Sequence, residues 1–335
     1  MRKIIKIIFL SFFLLVIPAT ADQNTTIDRL YTYISQQVLD YSSYLDTKIG
    51  KWLGYDGNSS QCISPDKIKQ ESQKDVDHFF LNNKYINDTD DIYIRLRFKT
   101  FFNSREDVKF SPSLSAQLPF IKCKTQWKLF FTDVDKSQSE IKSTDEFTGG
   151  FGLRYDQKKY FGIDASHSLG LYGGSPYIRS RFKMPFFYRS WKIEPVQIFK
   201  YSLKYDFEEE TNIYFDRPLG DDSLFRFQLH RKSASKMRGM DYGMTYKFYK
   251  YIGKNSGIEF SQAFFGNTYY NDFYANDPHY NGINNYVTSV GVRSNIWRDW
   301  LYLEVRPSVN FHKDHGYHPT YSLRFYMDIY FGKYD

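Results

Sequence analysis

The chain has 335 residues, with 45 Lys and Arg against 38 Asp and Glu and a formal net charge of +7. It carries 30 Tyr, 31 Phe and 5 Trp but only 2 Cys, and its mean hydropathy is −0.56. No apolar run near the roughly 18 residues of a membrane helix follows Ala21, which excludes a helical inner-membrane protein. A polar yet strongly aromatic chain suits many strands that each bury one face and wet the other.

Residues 1–21 read as an export signal. Arg2, Lys3 and Lys6 make a positive start, Ile7 to Ile17 form an apolar core, and Ala19-Thr20-Ala21 supply small residues for cleavage after Ala21. That core is too short to anchor the chain across a bilayer. No cysteine stands at the cleavage point, so no lipid anchor is expected. Loss of the three cations leaves the mature chain at +4.

Residues 22–90 read as a helical periplasmic segment and linker. Ile27, Leu30, Ile34, Val38, Tyr41, Leu45, Ile49 and Trp52 recur every three or four residues, the stripe of a long amphipathic helix over 26–53. Thr25 and Asp28 have capping-box spacing, and Gly54 can end the helix in a left-handed turn. A weaker helix is expected from Pro65 to about Leu81, with Ile68, Val76, Phe79 and Phe80 as its contacts. Three roles for the long helix stay open: packing on the rest of the protein, a copy of itself or a periplasmic partner; lying on the membrane; or plugging the barrel. Asn82 to Asp91 is polar and turn-rich, a linker.

Over residues 91–335 the period becomes two. Ile92, Ile94, Leu96 and Phe98 alternate with Tyr93, Arg95, Arg97 and Lys99. Leu301, Leu303, Val305, Val309 and Phe311 alternate with Tyr302, Glu304, Arg306, Ser308 and Asn310. Leu323, Phe325, Met327, Ile329 and Phe331 alternate with Ser322, Arg324, Tyr326, Asp328 and Tyr330. Such runs are longer than the five or six residues of an average soluble strand and match the roughly 9–11 of a tilted membrane strand. An open sheet edge in hydrocarbon would leave backbone groups unpaired, so the strands must close into a barrel. Short connections near 121–124, 156–159, 188–191, 218–222, 252–255 and 297–299 are interspersed with longer ones at 133–146, 232–240, 266–284 and 311–320. The expected fold is therefore an all-β transmembrane, closed antiparallel up-and-down barrel. It has fourteen strands with both chain ends in the periplasm, or twelve if Pro195 marks a bulge that merges strands.

This segment resembles bacterial outer-membrane β-barrel proteins in general, with an aromatic closing strand from Tyr321 to Phe331. The closing strand is similar to the C-terminal signal that such proteins present to the barrel-assembly machinery, although Gly332-Lys333-Tyr334-Asp335 follow it here. Asp75 to Phe80 (Asp-Val-Asp-His-Phe-Phe), followed by Ile94-Arg95-Leu96-Arg97, is similar to uncharacterised proteobacterial exported proteins. The resemblance implies the outer membrane of a Gram-negative-type envelope and its lipid as surroundings. It carries no activity.

By parity the face away from lipid holds Arg95, Arg97, Lys99, Arg179, Arg181, Lys183, Arg226, Arg293, Arg306 and Arg324, with fewer acids, among them Asp164, Glu194, Asp216, Glu259, Glu304 and Asp328. Rings of Arg and Lys select anions. The expected function is a pore for small anionic solutes, with two alternatives. One is a filled, non-conducting barrel offering a periplasmic partner surface; the other, weaker, is a lipid-acting enzyme. Ser166-His167-Ser168 is a poor catalytic candidate because neighbouring strand residues point to opposite faces. His312, His315 and His318 share a loop with Asp314, where adventitious metal binding is the simpler reading. Gly149-Gly150-Phe151-Gly152 reads as strand glycines beside large side chains. No catalytic residue, cofactor, metal site or nucleic-acid module is expected. Cys62 and Cys123 are expected to pair in an oxidising compartment and staple the helical segment to the barrel.

Overall fold

The computed structural model describes residues 26–52, 79–80, 93–119, 127–133, 149–204, 206–252, 256–270 and 280–332. Cys62, Cys123, the export signal and most of the 65–81 stretch lie outside them.

One long helix, α1 (Thr26–Trp52), precedes the sheet. The strands follow in chain order: β1 (Tyr93–Asn103), β2 (Lys109–Pro119), β3 (Trp127–Asp133), β4 (Gly149–Tyr160), β5 (Ile163–Tyr172), β6 (Ser175–Lys183) and β7 (Phe186–Tyr188). Then come β8 (Trp191–Ser202), β9 (Asp206–Pro218), β10 (Ser223–Ala234), β11 (Asp241–Tyr251), β12 (Ser256–Tyr270), β13 (Tyr280–Asn295), β14 (Leu301–His312) and β15 (Pro319–Gly332). Every pairing is antiparallel, and sequence neighbours pair except β6 and β7. Two pairings close the ring: β1 with β15, from Tyr93 opposite Gly332 to Asn103 opposite Ser322, and β6 with β8. The result is a closed barrel of fourteen strand positions, with β7 as a short extra strand.

The strand β7 accounts for the expected irregularity at Pro195. Lys183 lies opposite Val196, and Phe186 opposite Ile193, so the register passes unbroken from β6 into β7. Pro185 and Pro195 face each other's strands in this gap, and each lacks a ladder donor. The backbone N–H of Met184 still reaches the Pro195 carbonyl at 3.2 Å. The prolines interrupt hydrogen bonding without inserting a residue. There is no bulge, and the count is fourteen rather than twelve.

The turn expected at 156–159 lies two residues later, at Phe161 and Gly162, both at positive φ. At the opposite end Gly173 and Gly174, at φ 52° and 77°, make a two-residue hairpin between β5 and β6.

Alternation assigns the two faces. Outward side chains such as Phe110, Leu169 and Ile178 are 64%, 61% and 58% exposed, a pattern a water-facing surface would not sustain over a whole sheet. An outward aromatic chain crosses five strands: Phe215, Phe227, Tyr246, Phe264 and Tyr286 follow one another at ring separations of 4.9–6.4 Å. Tyr160, Phe161, Phe187, Tyr188 and Trp300 gather at the rim that carries the chain ends of the barrel, as interfacial girdles do. We call this rim the terminal end and the other the loop end. The architecture is a closed, all-antiparallel β-barrel with an apolar outer face.

Helix α1 docks on a face rotated from the expected stripe. Asp28 and Tyr31 meet the barrel and Ser35 and Ser42 are buried, while Ile27, Leu30 and Tyr41 stay exposed. Asp28 accepts hydrogen bonds from Arg298 Nε and Nη2 at 2.6 and 2.7 Å, while Thr25, its expected capping-box partner, lies outside the described residues.

Candidate functional site: the barrel interior

The ten basic residues singled out in the sequence fall on one parity of their strands, the parity that carries the buried Arg95, Arg181, Arg226 and Arg293. Arg95, Arg97 and Lys99 lie on β1; Arg179, Arg181 and Lys183 on β6; Arg226, Arg293, Arg306 and Arg324 on β10, β13, β14 and β15. Their environment differs from a free anion path, because acids on neighbouring strands meet several of them.

One network runs through six adjacent strands near the terminal end. Arg97 grips Asp328 with Nε at 2.5 Å and Nη2 at 2.6 Å. Arg293 Nη1 donates to Asp328 Oδ2 at 2.8 Å and lies 3.3 Å from Glu304 Oε2. Arg306 Nη2 donates to Glu304 Oε1 at 2.8 Å, and Arg306 Nη1 donates to Glu259 Oε1 at 2.8 Å. Lys247 Nζ closes the chain 3.6 Å from Glu259. Register explains the assembly: Arg97 lies directly opposite Asp328, and Arg293 directly opposite Glu304.

A second bidentate pair, Arg226 on Asp216 at 2.6 and 2.8 Å, also follows a direct cross-strand pairing. Lys200 and Lys232 share Glu208 at 2.9 and 3.2 Å. Lys128 meets Asp156 at 2.7 Å, and Lys183 lies 4.0 Å from Asp164. Glu208 and Asp156 were not singled out in the sequence, although their parity was readable there. Arg95 donates to Ser115 at 3.2 Å, and Arg324 stands opposite Arg306 with its guanidinium 5.0 Å over the Phe101 ring.

The interior at this level is filled. Tyr249, Glu259, Arg293, Asp328 and Tyr330 are all 0% exposed, and Glu194 is 1%. Part of the filling comes from outside the barrel sequence. Phe79 and Phe80, expected as apolar contacts of a second helix, are helical and pack in the terminal mouth. The Phe80 ring is 5.1 Å from Tyr249 and packs with Leu224, while Phe79 lies edge-on to Tyr251 at 5.2 Å. Leu224, Tyr249 and Tyr251 all face inward. Gly257 completes the seat: a Cβ there would fall 2.7 Å from Phe80 and 2.8 Å from Phe79. Leu224, an apolar residue on the polar parity of its strand, was the one sequence signal for such a seat.

The other singled-out residues have structural partners. His167 faces outward, away from Ser166 and Ser168, and its Nδ1 lies 3.0 Å from the directly opposite Ser180 Oγ. Two outward pairs without imidazole have the same cross-strand form, Gln197–Thr211 and Gln262–Thr288, so we read all three as polar groups satisfying each other on the lipid face. His312 Nδ1 accepts the backbone N–H of Asp314 at 3.1 Å and caps a short turn. Among the described residues no group of three His, Cys, Asp or Glu is placed to hold a metal ion. Gly152 and Gly170 make close contacts: a Cβ on Gly152 would meet the Leu169 carbonyl at 2.6 Å and the Phe130 ring at 2.8 Å.

No family model matches the chain, and no curated protein matches it. Solved structures similar to it include an anion-selective porin from Comamonas acidovorans, at 7% identity and a TM-score of 0.44 over 72% of this chain and 98% of that one. OmpT of Vibrio cholerae, in its trimer form, is 8% identical at a TM-score of 0.43 over 72% of this chain and 98% of that one. The KdgM porin in complex with disordered oligogalacturonate is 8% identical at 0.35, over 70% and 98%. At these values the likenesses carry no functional inference.

Proposed function

We propose that the protein is an outer-membrane channel for small hydrophilic solutes, with a preference for anions, and that the described conformation is closed at the terminal end. One observation carries the reading. The faces of β1, β2 and β6 that carry Arg95, Arg97, Lys99, Lys109, Arg179, Arg181 and Lys183 hold no acid, and the carboxylates of Asp328, Glu106 and Asp164 on other segments offset only part of these seven cations. A surplus of fixed positive charge beside a low-dielectric wall raises the local concentration of anions. The terminal end faces the periplasm in this reading, and α1 with it.

A second reading rests on the fully inaccessible Glu259, Arg293 and Asp328: a sealed barrel in which the ion network is structural. Planar-bilayer recording under a KCl gradient separates the two. Heat-modifiable protein, wild type and Phe79→Ala/Phe80→Ala, is expected to give discrete conductance with an anion-side reversal potential. Silence from both proteins, or cation selectivity, overturns the channel reading.

A further inference from the structure

Helix α1 lies across the terminal rim. It meets β15 and β2, the strands flanking β1, and the turn between β13 and β14 at the terminal end. Its first turns are fastened at one place. Tyr31 stacks on Trp300 at 4.6 Å and 11°, and on Phe331 at 5.8 Å and 26°. Phe331 is an outward residue of β15, so Tyr31 rests on the surface that faces lipid. Further along, Ser35 and Ser42, two turns apart, are buried.

The barrel covers only part of the apolar arc. At 3.6 residues per turn, Ile27, Leu30, Tyr33, Tyr41 and Tyr44 fall on one flank beside the docked face. They are 49%, 58%, 63%, 62% and 55% exposed. The remaining face is polar: Gln36 Nε2 donates to Asp40 Oδ1 at 2.9 Å, and Thr32 bonds back to the Asp28 carbonyl. The helix thus has three sectors, one on protein, one in water and one uncovered and rich in Tyr, Ile and Leu, with Gln37 and Lys48 among them.

We infer that this third sector is embedded in the headgroup layer of the leaflet at the terminal end, making α1 an interfacial helix. The occupant is lipid because the uncovered flank is continuous with an existing lipid surface, through Tyr31 on Phe331 and the girdle residue Trp300. The side chains fit that depth. Tyrosine has an apolar ring and a hydroxyl tip that suit the boundary between acyl chain and headgroup. Lys48, whose Nζ lies 5.6 Å over the Tyr44 ring, places a cation beside the flank at phosphate depth. The inference requires only that the barrel spans a membrane, and it stands whether or not the lumen conducts.

The test uses full-length protein folded into phosphatidylethanolamine/phosphatidylglycerol vesicles. Cys62 and Cys123 are replaced by Ser, folding is checked by heat modifiability, and a bimane label is attached at Tyr41→Cys or, on the polar face, at Gln36→Cys. Brominated lipid is expected to quench the label at 41 at least twofold more than at 36, and aqueous iodide the reverse. Equal iodide quenching at both sites with no bromolipid effect overturns the inference. So does a disulfide between two Tyr41→Cys barrels at high lipid-to-protein ratio, which would make a second copy the occupant.

Discussion

Gln197 on β8 lies directly opposite Thr211 on β9, on the outward face, and Thr211 Oγ1 donates to Gln197 Oε1 at 2.6 Å. In hydrocarbon no water can substitute for a lost partner, so each polar side chain on this face needs one supplied by the protein. Thr211→Val should destabilise the folded barrel by about 1 kcal/mol, and Gln197→Leu/Thr211→Val should recover most of that loss. Urea unfolding in vesicles, run as a double-mutant cycle, measures the coupling. Additive losses would mean that the pair faces water.

The network around Asp328 predicts a larger effect. Asp328→Ala leaves Arg97 and Arg293 facing each other without the carboxylate that both of them bind. Removal of one partner from a buried ion network costs about 3–5 kcal/mol. The expected readout is a lowered urea midpoint and a lower temperature of gel-mobility conversion. Arg324→Ala, which removes a guanidinium stacked on Phe101, should cost about 1 kcal/mol or less.

Gly257 and the Phe79–Phe80 pair should be energetically coupled. A Cβ at 257 would meet both rings below 3 Å. Gly257→Ala is therefore expected to destabilise by about 1–3 kcal/mol in the wild-type background, and by much less once Phe79→Ala/Phe80→Ala has emptied the seat. An unchanged penalty in both backgrounds would place the rings elsewhere.

The basic row on β6 governs selectivity in the channel reading. Arg179→Glu/Arg181→Glu reverses charge on one wall while leaving the Arg97–Asp328–Arg293 network intact. The zero-current potential in a KCl gradient should move toward the cation side by tens of millivolts. Conductance with an unmoved potential would place the permeation path away from β6.

The strand period, the inward or outward direction of nearly every side chain and the fourteen-strand count were legible in the sequence. A strand's side-chain direction has a period of two, and a one-residue slip moves an apolar set to the opposite face. What could not be read was which inward charges meet. Arg97 and Asp328 are separated by almost the whole barrel sequence, and only the closing register of β1 on β15 puts them opposite each other. A list of basic residues on one face therefore looked like an open anion path, whereas the structure pairs Arg97, Arg226, Arg293 and Arg306 with carboxylates. The docked face of α1 was hidden for a related reason. Periodicity reports an apolar arc, but the contacts with the barrel rim are made by Tyr31 on Trp300 and Phe331 and by Asp28 on Arg298. Local pattern determined the elements and their faces; the tertiary register decided which charges are neutralised and where Phe79 and Phe80 come to rest.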